Sequence, residues 1–114
     1  METPQIRDWH AHVYFDAATR DTAWALRERI EKSFDIKMGR FHEKPVGPHP
    51  RHSYQVHFRN DQLAPLIAWF TLNRGGLTVL MHPNTGQELE DHRDRAMWLG
   101  ASETLDLSVL TRKD

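Results

Sequence analysis

The chain has 114 residues, 39% of them apolar and 27% charged, a balance that suits a soluble folded domain and argues against extended disorder. Fifteen basic residues against sixteen acidic ones leave a formal charge of −1 and no basic block, so neither nucleic acid nor a membrane is expected as partner. Cysteine is absent, which excludes disulfides and thiolate metal sites and leaves nitrogen and oxygen as the only metal ligands.

One domain is expected over residues 1–114, with 1–7 and 111–114 as tails. The first residues hold no apolar signal-peptide run and no stretch is long enough to span a bilayer, so a cytoplasmic location is expected. Eight histidines are more than usual for this length, and their positions carry the argument below.

Trp9 to Phe15 alternates apolar and polar residues with period two, which predicts a strand. Trp9, Ala11, Val13 and Phe15 then face a core, while His10, His12 and Tyr14 share the other face. Asp16 to Asp21 is a turn able to cap a helix over Thr22 to Phe34, whose Ala23, Leu26, Ile30 and Phe34 fall at spacings of three and four. Ile36 to Phe41 reads as a short strand. His42 to His52 holds three prolines and a glycine, and is expected as an ordered loop carrying His42, His49 and His52.

Ser53 to Phe58 alternates again, with Tyr54, Val56 and Phe58 inward and Gln55 and His57 on the other side. A second helix starts near Asn60, with Leu63, Leu66, Ile67, Trp69 and Phe70 as its apolar stripe, and stops at Gly75. Leu77 to His82 is the next strand, presenting Thr78, Leu80 and His82 opposite to Leu77, Val79 and Met81, and Pro83 to Gly86 is a turn. Glu88 to Trp98 is a polar helix or a loop with one helical turn, and Leu105 to Leu110 is a candidate edge strand. Trp24 and Trp69 fit helix core positions, and Trp98 fits either core or the wall of a pocket.

Strand, helix, strand, strand, helix, strand is the order of an α+β, ferredoxin-like split βαβ sandwich, with two helices on one face of an antiparallel sheet. The first strand is then central, between the third and the fourth. On the face the helices leave bare, His82 falls beside His10 and His12, while His57 approaches from the other flank. Neighbouring β-carbons on one face stand about 4.5–5.5 Å apart, so their imidazoles can share a metal at bond lengths of about 2.0–2.2 Å. His49, stiffened by Pro48 and Pro50, can fold over the same face. His42, His52 and His92 are expected to be solvated.

Trp9-His10-Ala11-His12-Val13-Tyr14-Phe15, Gly47-Pro48-His49-Pro50, Leu80-Met81-His82-Pro83-Asn84-Thr85-Gly86, Asp91-His92-Arg93 and Trp98-Leu99-Gly100 together resemble the bacterial and fungal DOPA 4,5-dioxygenase family. The resemblance runs from Trp9 to Leu110 and implies a small ferredoxin-like enzyme that opens a catechol-type, DOPA-like aromatic with O2 at a non-haem metal. Fe(II) is the implied cofactor, with zinc or another divalent metal as the alternative. His10, His12 and His82, with His49 next, are the candidate ligands. His12, His49 and His57 are the candidate proton acceptors, and Arg51, Arg93 and Tyr14 the candidate substrate contacts. No Asp or Glu falls on the expected histidine face, so the usual pair of histidines and one carboxylate is not legible. The competing expectation is a non-catalytic ferredoxin-like module that binds a metal or small molecule and forms a homodimer through its open sheet face.

Overall fold

The computed structural model describes residues 3–110, so the tail expected at 111–114 and the start of that expected at 1–7 lie outside the described residues. Strand β1 (Asp8–Phe15), helix α1 (Arg20–Ser33), strand β2 (Lys37–Met38), strand β3 (His52–Phe58), helix α2 (Leu63–Asn73) and strand β4 (Thr78–Asn84) appear in the expected order. Helix α3 (Glu88–Arg93) and strand β5 (Met97–Leu99) follow. The sheet is antiparallel throughout, in the order β2-β3-β1-β4-β5, so β1 lies between β3 and β4 as expected.

The core forms where two periodicities meet. Trp9, Ala11, Val13 and Phe15 of β1, Tyr54, Val56 and Phe58 of β3, and Val79 and Met81 of β4 bury one face of the pleat. Ala23, Leu26 and Ile30 of α1 and Leu66 and Phe70 of α2 lie against it. Each fully buried Val, Leu, Ile or Phe contributes about 1.5–3 kcal/mol, which makes this face the main source of stability. The buried Tyr54 hydroxyl donates to the Ala23 carbonyl at 3.0 Å, tying β3 to α1 without an orphaned polar group.

Several elements differ from expectation. Trp24 is 41% exposed rather than core, because the buried line of α1 runs through Ala23, Leu26 and Ile30 and turns the next residue outward. Strand β2 is two residues long. Beyond it, Gly39 donates to Gln55 O at 2.7 Å, so close that a Cβ there would stand 3.2 Å from that oxygen. Strand β4 continues through Pro83 to Asn84, past the expected turn, where β5 no longer flanks it and a proline is tolerated. The extra edge strand is Met97–Leu99, paired with Val79–Met81; Leu107–Leu110 is a 3-10 turn. Gly100, at φ +91°, turns the chain off the sheet directly after β5.

The second face of the sheet is not bare. His12, Tyr14, Ser53, Thr78, Leu80 and His82 are all buried there. The proline-rich loop closes over them and is held by the C-terminal segment, with Asp106 donating its backbone N–H to Pro48 O at 2.9 Å. The area expected to receive a second subunit is thus largely covered by the chain itself. No described helix is long and apolar enough to cross a membrane.

Candidate metal centre

The register of β1 assembles the histidines. His10 stands opposite His57 of β3 and His82 of β4, and His12 opposite Gln55 and Leu80. Possible ligand atoms of His10, His12 and His82 lie within 4.8 Å of one another, with His10 half-buried and the other two buried. The Nε2 atoms of His12 and His82 are 2.9 Å apart. His82 Nδ1 sits 2.9 Å from the Pro83 carbonyl, which can only accept, so Nδ1 carries the hydrogen and Nε2 offers its lone pair toward His12.

The donor set fits a metal ion. Nitrogens held at about 2.0–2.1 Å from one ion stand about 2.9–3.4 Å apart, from right-angled to tetrahedral coordination, and the His12–His82 separation falls in that range. Ligation needs neutral imidazoles, and burial supplies them. Desolvation lowers the pKa of His82 to about 3 and that of His10 to about 4, and pushes His12 well below its usual 6.5. Among the described residues, the group close enough to share an ion contains no carboxylate.

Two further histidines close the site. His49 is buried against His12, with ring centroids 4.1 Å apart, and its Nδ1 is 2.7 Å from the Tyr14 hydroxyl. Burial raises the Tyr14 pKa, so the phenol keeps its proton and the pair can hold that hydrogen in either direction. His92, expected to be solvated, is half-buried and stacks near His82 with ring centroids 4.0 Å apart. Its helix is fixed by Asp91, which is 2% exposed and accepts from Thr85 N at 2.8 Å, Thr85 Oγ1 at 2.9 Å and Arg95 Nη1 at 2.9 Å.

On the opposite flank His57 is held by a carboxylate that was not expected on this face. Asp8 opens β1 in phase with His10 and places Oδ2 2.8 Å from His57 Nε2, while its Oδ1 accepts from Asn84 Nδ2 at 2.8 Å. Burial pushes the Asp8 carboxyl up, but the His57 and Asn84 hydrogen bonds outweigh it and hold the group below the usual carboxylate range. The His57 ring meets His10 edge-on with centroids 5.0 Å apart.

The two arginines expected to contact substrate are already engaged. Arg51 donates from Nε to Glu103 Oε1 at 2.9 Å and from Nη2 to Oε2 at 2.6 Å, with its guanidinium over the Tyr14 ring. Arg93 is exposed and forms the same fork with Asp94. Trp98 packs 5.9 Å from Tyr14 and lines a hollow with His92 and Glu103, which settles its place as a wall. His42 and His52 are half-buried and do not join the cluster; His52 lies edge-on to Phe15. Glu103 and Asp8 were missed by sequence reasoning, whereas Asp91 and His92 stood in the motif Asp91-His92-Arg93 but were given no place at the site. The even phase of Asp8 with His10 and His12 was the one signal that could have found it.

Comparison with known proteins gives consistent matches. The model of the Dopa 4,5-dioxygenase family matches residues 9–109. A DOPA 4,5-dioxygenase of Amanita muscaria is 34% identical over 96% of this chain and 52% of its own length. An uncharacterized 21.2 kDa protein of Botryotinia fuckeliana is 38% identical over 89% of this chain and 62% of its own length. The chain therefore spans between half and two thirds of those curated relatives. A crystal structure of a candidate dioxygenase from Nostoc punctiforme superposes with a TM-score of 0.91 at 46% identity, covering 92% of this chain and 91% of that one.

Proposed function

The chain belongs to the Dopa 4,5-dioxygenase family, and on that premise we propose that it is a metal-dependent extradiol dioxygenase opening a catechol-type, DOPA-like ring. In such a reaction both atoms of O2 enter the product and the ring C–C bond beside the two hydroxyl-bearing carbons breaks. The observation that carries the reading is the buried His12–His82 pair, Nε2 to Nε2 at 2.9 Å, with His10 beside it. His10, His12 and His82 are the ligands in this proposal, and His49 and His57 the flanking proton carriers.

A bound divalent metal with open positions supplies one docking point for the catechol oxygens and O2. Fe(II) is the ion this chemistry calls for, although a set of three imidazoles also accepts zinc or nickel. The residues of the chain do the rest. Pro83 O orients His82, and burial keeps its lone pair free near neutral pH. His49 can take or give a proton at Nε2 as the Tyr14 hydroxyl donates to or accepts from its Nδ1. On the half-exposed side, Asp8 fixes the His57 ring so that Nδ1 points away from the carboxylate and is free to accept a catechol proton. The loop over His12 and the wall of Trp98 and His92 keep bulk water from the buried side.

The test is oxygen uptake by protein loaded anaerobically with Fe(II). With a catechol it should consume O2 and yield a yellow ring-opened product, and His10→Ala and His82→Ala should each lower metal content and abolish uptake. Tight metal binding with no uptake on any catechol would replace the enzyme by a binding module. Unchanged metal content in both variants would overturn the ligand assignment.

A further inference from the structure

Three hollows border the histidine face, and they differ in what lines them. One of about 300 Å³ lies where β3 ends, with His57 in its wall, and one of about 180 Å³ lies beside His92 and Trp98. Neither of these two has a candidate ligand in its wall. The third, about 190 Å³, sits between β3 and the proline-rich loop and is walled by both His12 and His49. It borders the candidate metal centre directly, because His12 is one of the ligands proposed there.

Strand register sets the floor of this third hollow. Ser53 and Gln55 lie in phase with His57 on β3 and stand opposite Tyr14 and His12 of β1, so the histidine face continues sideways as a neutral polar strip. Ser53 is 2% exposed and Gln55 half-buried, yet neither the hydroxyl nor the side-chain amide makes a hydrogen bond among the described residues. Buried polar groups without partners are the exception in a folded chain, and these two share one cavity wall. Val46 and Pro48 of the loop roof the space, and no Lys, Arg, Asp or Glu lines it. A charged group entering there would lose hydration without gaining a counter-charge, whereas a neutral ring would not. A water takes about 30 Å³ in the liquid, so the hollow has room for a single aromatic ring.

We propose that this hollow seats the ring of the catechol and that Gln55 is a substrate-binding residue, its amide bonded to a ring hydroxyl with Ser53 alongside. The inference rests on the enzyme reading above and supplies a contact that Arg51 and Arg93, bound to Glu103 and Asp94, do not provide. An amide offers both donors and an acceptor and has no charge to change. It therefore holds the hydroxyl whether that group donates or accepts.

Anaerobic titration of Co(II)-loaded protein, followed by the visible absorption of the ion, tests this. Gln55→Leu nearly preserves side-chain volume and removes the hydrogen-bonding atoms, so catechol should bind about three- to tenfold more weakly. Val46→Trp, which fills the hollow from its roof, should abolish catechol binding at concentrations that saturate the parent. In both variants Co(II) content and affinity for azide, an ion small enough to need no ring pocket, should match the parent. If either variant binds catechol as the parent does, the subsite is overturned and the enzyme reading stands. If a variant weakens azide and catechol alike, its residue supports the metal centre rather than the ring, and the subsite is again overturned. If the parent takes up no Co(II), or takes it up and binds no catechol, both the subsite and the enzyme reading fall.

Discussion

At the scale of single residues, the burial that readies the imidazoles for a metal should make the metal-free protein sensitive to acid. His82 is depressed to about 3, and His10 and His49 to about 4, from an ordinary 6.5, in each case chiefly by desolvation. Below pH 6.5 the unfolded chain takes up protons that the folded chain refuses, so the unfolded state gains. The stability these groups allow is complete above 6.5 and drains away as the pH falls toward 4 and 3. Each contributes a slope of at most about 1.4 kcal/mol per pH unit inside its window. The urea midpoint of chelator-treated protein should therefore decline steadily between pH 6.5 and 4.5, before carboxylates begin to titrate. A flat midpoint over that interval would show that these rings are solvated. This behaviour could be anticipated only in part: period-two alternation put His10, His12 and His82 on one face, but alternation carries no information on what covers that face. The closure by His49 and His92 comes from segments without periodicity.

Among the elements, α3 shows most clearly where local pattern fails. Glu88–Arg93 is six residues long and almost wholly polar, far too short to hold helical structure alone. Its sequence therefore reads as a solvated charged stretch, and His92 reads as exposed. What fixes it is one buried carboxylate. Asp91 receives the Thr85 N–H and hydroxyl and the Arg95 guanidinium, joining the end of β4 to the far end of the helix. Asp91→Ala would leave the half-buried Thr85 N–H and part of the partly exposed Arg95 guanidinium unpaired, at a cost of about 1–3 kcal/mol. Amide exchange across residues 88–93 should accelerate, and the His92 ring should lose its place beside His82. If stability and exchange both match the parent, Asp91 is not the anchor. The strands were legible for the opposite reason. Each alternates in phase with the helix-covered face of the sheet, and a slip of one residue would turn Val79 and Met81 into the histidine face and drive His82 into the apolar core. The edge strand was misplaced because Leu105–Leu110 has the apolar content of a strand, whereas Met97–Leu99 has the neighbour: it pairs with Val79–Met81.

For the whole molecule, the candidate ligands matter because the chain is far from local at that point. His12 and His82 are 70 residues apart in sequence and meet only when β1 and β4 pair. An ion bridging them can bind the folded state and has no preformed site in the unfolded chain, so metal and fold are thermodynamically linked. At a free metal concentration a hundredfold above Kd the native state gains about 2.7 kcal/mol, which for a domain of this size raises the melting temperature by roughly 10 °C. Thermal melts with and without a chelator measure this directly. His82→Ala should melt at one temperature in both conditions, because it removes the candidate ligand on β4. His42→Ala, away from the cluster, should keep the full shift. A shift retained by His82→Ala would mean that the ion stabilises the fold from somewhere other than the junction of β1 and β4, and one lost in His42→Ala would extend the centre into the proline-rich loop.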